Sequence, residues 1–133
     1  MRDGWMMWGM GALMAIALMP LAQADVKIPS FHTLKEYVEW LAQRDTLETL
    51  GMDRVVRSRR TPNCLIAVFQ GEAKADQRHD VLDALAQRFL ALTFKEEQTM
   101  VVFVEGHDGA GRILETVGRS VSGQSVVMGD ACE

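Results

Sequence analysis

The chain has 133 residues, 48% of them hydrophobic and 24% charged, with a formal net charge of −4 at neutral pH. That length supports one hydrophobic core, and the acidic balance excludes a protein that holds nucleic acid by overall charge.

The amino terminus reads MRDGWMMWGMGALMAIALMPLAQA. It opens with Arg2, runs through an apolar stretch from about Met10 to Leu18, breaks at Pro20 and closes on Ala22-Gln23-Ala24. The layout is that of a secretory signal, and the unbroken apolar run is shorter than the roughly 20 residues a membrane span needs. Cleavage is expected after Ala24, giving a periplasmic or secreted product with no stable membrane span. Removing 24 of the 133 residues leaves 109, Asp25 to Glu133. The signal carries one charge of each sign, Arg2 and Asp3, so the net charge stays at −4.

Thr33-Leu34-Lys35-Glu36 is a capping box and predicts a helix start. Leu34, Tyr37, Val38 and Leu41 then form an apolar stripe at three- and four-residue steps. Trp40 lies off that stripe and is the candidate exposed aromatic anchor for a partner. Asp45-Thr46-Leu47-Glu48 repeats the cap pattern, so a second short helical turn is expected near Arg44, stopped by Gly51. The run Arg54 to Arg60, RVVRSRR, predicts a charged edge strand or loop.

Leu65-Ile66-Ala67-Val68-Phe69 is apolar without alternation, the pattern of a strand covered on both faces or placed centrally. From about Lys74 to Leu92, Val81, Leu82, Leu85, Ala86, Phe89 and Leu90 make the clearest amphipathic helix in the chain. On it, His79 is expected to rim the core, with Asp83 as its hydrogen-bond partner. Met100 to Val104 is a second core strand, Gly106 to Gly111 a turn, and Arg112 to Val117 the returning strand of a hairpin. A last short strand is expected at Ser125 to Met128. The predicted fold is α+β: two helices packed on one face of a mostly antiparallel four- or five-stranded sheet, in the order α-β-β-α-β-β-β.

Two cysteines remain after the signal, Cys64 and Cys132. An even count in an exported chain predicts a disulfide. A catalytic thiolate wants a nearby histidine or a Cys-x-x-Cys partner, and a zinc site wants four ligands at recognisable spacing; neither pattern is visible. The disulfide requires the chain end to lie within about 7 Å, Cα to Cα, of the start of the Cys64 strand.

The stretch EGHDGAGR, residues 105 to 112, sets His107 beside Asp108 among glycines just past a buried strand. Read as a site, His107 is an acid-base or ligand group oriented by Asp108, with Arg112 nearby and Arg57 or Arg59 converging from a distant segment. Read as a turn, Asp108-Gly109 closes the hairpin. The string VFVEGHDGAG resembles the VxVEGHTD strand of the outer-membrane-protein-A-like peptidoglycan-binding domain. That resemblance implies a cell-wall ligand at the 105–112 loop, held by His107, Asp108 and Arg112. It departs at the threonine of GHTD, and residues 112 to 133 hold no LSxxRA-type helix with the arginine that grips the ligand.

No phosphate loop, H-E-x-x-H or paired-carboxylate pattern stands out, and no cofactor or metal is expected. The leading functional expectation is therefore a non-enzymatic binding or assembly module of the cell envelope, working through a protein surface. The second is a cell-wall ligand-binding or hydrolytic protein with its site at the 105–112 loop.

Overall fold

A computed structural model describes residues 26–71, 74–123 and 132. Three helices and four strands follow in the order α1 (Leu34–Leu41), α2 (Arg44–Leu50), β1 (Met52–Arg57), β2 (Cys64–Phe69), α3 (Ala75–Glu97), β3 (Val101–His107) and β4 (Ile113–Ser120). The sheet order is β1-β2-β3-β4. Both outer pairs are antiparallel, while the central pair β2–β3 is parallel.

The α+β class stands, and three parts of the expected arrangement are corrected. The helices number three among the described residues, since α2 is a separate element between α1 and β1. The sheet is mixed because α3 carries the chain back across the sheet between β2 and β3, and a crossover of this length returns a strand parallel. The element order is thus α-α-β-β-α-β-β over the described residues, and the strand expected at 125–128 lies outside them, as does the signal.

The capping box forms as the sequence requires: Thr33 Oγ1 accepts from Glu36 N–H at 3.1 Å, and Glu36 Oε1 accepts from Thr33 N–H at 3.3 Å. The second cap does not form, because α2 begins two residues early, with Gln43 in the cap position, and Asp45 sits inside its first turn. Gly51 ends α2 in the left-handed conformation, φ 74°, as its position predicts.

The stripe of α1 is rotated from the expected one. Leu34, Tyr37 and Leu41 are buried, whereas Val38 is 40% exposed. Trp40 turns inward instead, because Phe31 in the preceding segment offers it a ring at 5.4 Å and Tyr37 one at 6.5 Å. Tyr37 donates its hydroxyl to the Leu85 carbonyl at 3.0 Å, tying α1 to α3. Burial pushes its phenol well above the ordinary value, with the nearby Arg88 charge opposing.

The core lies on one face of the sheet. Leu65, Ala67 and Phe69 of β2, Val102 and Val104 of β3 and Val117 of β4 pack with Leu82, Leu85 and Phe89 of α3. At Gly106 a Cβ would come within 3.0 Å of Leu82 and 3.2 Å of Phe69, so any side chain would press on both where α3 crosses β3. Strand alternation then turns Glu105 and His107 to the opposite face, together with Cys64, Ile66 and Val68.

That opposite face carries the disulfide. Cys64 and Cys132 are bonded, with Cα atoms 6.1 Å apart across a separation of 68 residues. This meets the distance the cysteine pairing demanded. It pins the chain end to a central strand on the side away from the helices.

Candidate functional site

The hairpin tip and the carboxyl end of β2 lie at the same end of the sheet, since Val68 is the register partner of His107. In sheets with parallel strands joined by a helix, ligands favour the crevice at the carboxyl ends of those strands. Two structures therefore compete for the site: the 105–112 hairpin and a groove beside α3.

At the hairpin, Asp108 is fully engaged in the turn. It accepts from Ala110 N–H and Arg112 N–H, both at 2.9 Å, and from Arg112 Nε at 2.7 Å. These bonds, the Arg112 amide foremost, hold its carboxyl below the ordinary range. His107 does not bond Asp108. Its Nε2 faces Glu105 Oε1 at 2.7 Å, and Glu105 Oε2 accepts from Cys132 N–H at 2.6 Å.

The expected trio is thus split. Asp108 and Arg112 form the turn, and His107 belongs to a separate pair on the disulfide side. Neither distant arginine converges. Arg57 holds Glu97 through two bonds of 3.1 and 2.6 Å, donates to the Pro62 carbonyl and covers the Phe89 ring. That contact lowers the Glu97 pKa. Arg59 follows β1 in the β1–β2 turn, at the opposite end of the sheet from the hairpin tip.

The groove is framed by the end of α2, the end of β2 and the first turns of α3. It has a volume of about 680 Å³, with Leu50, Phe69 and Val81 as apolar lining and Gln70, Arg78 and Asp80 as polar lining. The segment at Val26 and Lys27 forms one wall, and Arg88 Nη2 fixes it by donating to the Ile28 carbonyl at 3.0 Å. A second groove of about 700 Å³ continues along the other side of the segment, past Asp83 and Gln87. Neither is lined by His107, Asp108 or Arg112.

Glu115 of β4 links the groove to the hairpin. It accepts from Arg78 Nε at 3.1 Å and also bonds His79. His79 therefore differs from expectation: its side chain is 57% exposed and its partner is Glu115, not Asp83, which Arg119 takes with two bonds of 2.8 Å. The Glu115 hydrogen bond raises the His79 pKa above the ordinary imidazole value.

Among the described residues, no group of three or more His, Cys, Asp and Glu side chains is placed to hold a metal ion. No helix among them is long and apolar enough to cross a membrane. No protein family, curated protein or solved structure matches the chain. In place of the arginine-bearing helix that follows VxVEGHTD in the peptidoglycan-binding domain, this chain turns into β4.

The missed features are the groove and Glu105. The groove had a signal: an apolar strand, Gly71, a long helix and another apolar strand make a β-α-β unit. Glu105 had a weaker one, since in MVVFVEGH it shares strand parity with His107 and so must share a face with it.

Proposed function

We propose that this chain is a non-enzymatic, exported binding module of a cell envelope that holds an extended segment of a protein partner in the groove beside α3. The observation that carries this reading is the internal use of the residues with catalytic associations. Asp108 and Arg112 are consumed by the turn, and His107 by Glu105. The concave surface lies elsewhere, where apolar Leu50, Phe69 and Val81 sit beside Gln70 and Asp80. An apolar lining with a few polar groups suits a peptide side chain plus its backbone amides.

Trp40 does not serve as the anchor in this reading, because its ring packs on Phe31 and Tyr37. The test is recovery of partners from an envelope extract by the purified chain and by Gln70→Arg, Asp80→Lys and His107→Ala variants. The two groove changes are expected to reduce retention of the same partner about tenfold, a loss of roughly 1.4 kcal/mol, with His107→Ala unchanged. Retention that survives both groove changes, together with co-sedimentation on cell-wall sacculi that His107→Ala abolishes, would replace this reading with a cell-wall ligand site at the hairpin.

A further inference from the structure

Nε of Arg88 is buried and has no hydrogen-bond partner. A buried donor left unpaired is costly, and such a group in a folded chain calls for an explanation. Its neighbour Nη2 donates to the Ile28 carbonyl at 3.0 Å. Nε and Nη2 lie on one edge of the planar guanidinium, and that edge matches the two oxygens of a carboxylate. Elsewhere in the molecule the same edge is filled: Arg119 donates through Nε to Asp83 Oδ1 and through Nη2 to Asp83 Oδ2, both at 2.8 Å. Arg88 has the donors of that pair without the carboxylate.

We propose that Arg88 is the receptor for a carboxyl terminus, and that the groove of about 700 Å³ it lines takes the last residue of a partner polypeptide. Nη2 carries two N–H groups, so it can keep the Ile28 carbonyl and still give one hydrogen to the carboxylate, while Nε gives the other. The guanidinium turns about its side-chain bonds to meet a carboxylate entering from the groove. The charges along the groove leave room for one anion. Asp83 is neutralised by Arg119, so Arg88 and Lys27 face Asp80 with one positive charge to spare.

A chain terminus suits this groove better than an internal Asp or Glu. It carries an apolar side chain on the same carbon as its carboxylate, and Val26, Ile28 and Ala84 line the groove together with Arg88. Gln87 donates its amide nitrogen to Asp83 Oδ2 at 3.0 Å, which leaves its carbonyl oxygen to accept the N–H of that last residue. Capture of a terminal carboxylate is a recurring way of reading the end of a peptide. Leu50, Phe69 and Gln70 do not line this groove, so the inference stands apart from the reading of the first one.

The test titrates the purified chain with short peptides while the arginine Nε–H signals are followed by NMR. The probes are acetyl-Ala-Val-Leu with a free carboxyl terminus, the same peptide as its carboxamide, and acetyl-Ala-Glu-Leu carboxamide, which moves the charge to a side chain. At up to about 10 mM the free acid is expected to shift the Arg88 Nε–H and the Ala84 and Gln87 amides to saturation, and neither carboxamide does so. Arg88→Lys keeps the charge and a donor for the Ile28 carbonyl but loses the two-donor edge, so it should weaken the free acid about tenfold. Lys27→Glu, at an exposed residue, should weaken it about threefold or more. An Arg88 signal that no probe moves, an equal response to the acid and its carboxamide, or an affinity unchanged by Arg88→Lys would overturn the proposal. So would a glutamyl peptide that binds as well as the free acid, since the site would then read charge and not a chain end. Should Arg88→Lys not fold, Lys27→Glu decides in its place by the same criterion.

Discussion

The two faces of the sheet are held by different physics. On the helix side, α3 lays Leu82, Leu85 and Phe89 over β2 and β3, and stability there scales with apolar area removed from water. On the other side, the disulfide to Cys64 and the buried Glu105 carboxyl group are among the contacts that hold Cys132. The first arrangement is distributed, so each residue contributes a fraction. The second includes contacts between single named atoms, Cys64 with Cys132 and Glu105 with the Cys132 amide.

The strongest challenge to this contrast is Phe89→Ala. It removes a fully buried ring that also supports Arg57, and it should lower the unfolding free energy by about 3 to 5 kcal/mol in urea titration. A cost below that of any change on the disulfide side would contradict a core carried by the helix face. Next comes Glu105→Leu, which leaves the Cys132 amide without its acceptor and the His107 ring nitrogen without its partner. The expected cost is about 1 to 3 kcal/mol, with faster exchange confined to the hairpin tip. A neutral result would show that the Glu105 carboxyl group does not help to hold Cys132.

The smallest effect concerns the clasp between α3 and β4. His79 has a raised pKa in the folded chain because of Glu115, with burial opposing. Its contribution is therefore fully present below the ordinary imidazole value, near 6.5, and is lost as pH rises through the raised folded value. Its exposure keeps that contribution modest. An NMR titration should place the His79 midpoint above 6.5, and Glu115→Gln should bring it back toward that value. A midpoint that ignores the Glu115 change would remove the clasp from the description.

Much of the fold is legible where local chemistry decides. The capping box, Gly51 and the unalternating β2 all act within a few residues, and each sits where the sequence predicts; the hairpin turns where expected, but its left-handed residue is Gly111, not Gly109. The departures come from long-range partners. α3 runs past Leu92 to Glu97 because its last turns are fastened from outside: Lys95 donates to the His32 carbonyl, Glu96 accepts from the Leu34 amide and Glu97 takes Arg57. It ends on Gln98 at φ 58°, with no glycine to announce the stop. Likewise the α1 stripe rotates toward Trp40 because Phe31 waits on that side, and periodicity within a helix cannot report a ring that precedes it.

The candidate site was less legible for the same reason. EGHDGAGR reads as a cluster along the chain, but a strand sends neighbouring residues to opposite faces and the bulge at Gly106/His107 shifts the register just before the turn. Sequence adjacency therefore suggested a His107–Asp108 pair, whereas the fold pairs His107 with Glu105 across two positions. The groove needs α2, β2 and α3 together, and no short window contains all three.

The parallel pairing at the centre of the sheet also bears on how the chain acquires its shape. β1–β2 and β3–β4 are each short-range hairpins that can form on the microsecond scale, within reach of their own turns. Joining β2 to β3 requires the whole of α3 to bridge them, so loop closure makes that step the slow one. Assembly then amounts to two prefabricated halves meeting along a seam, and substitutions along that seam should slow the approach to the native state more than equal losses within either half.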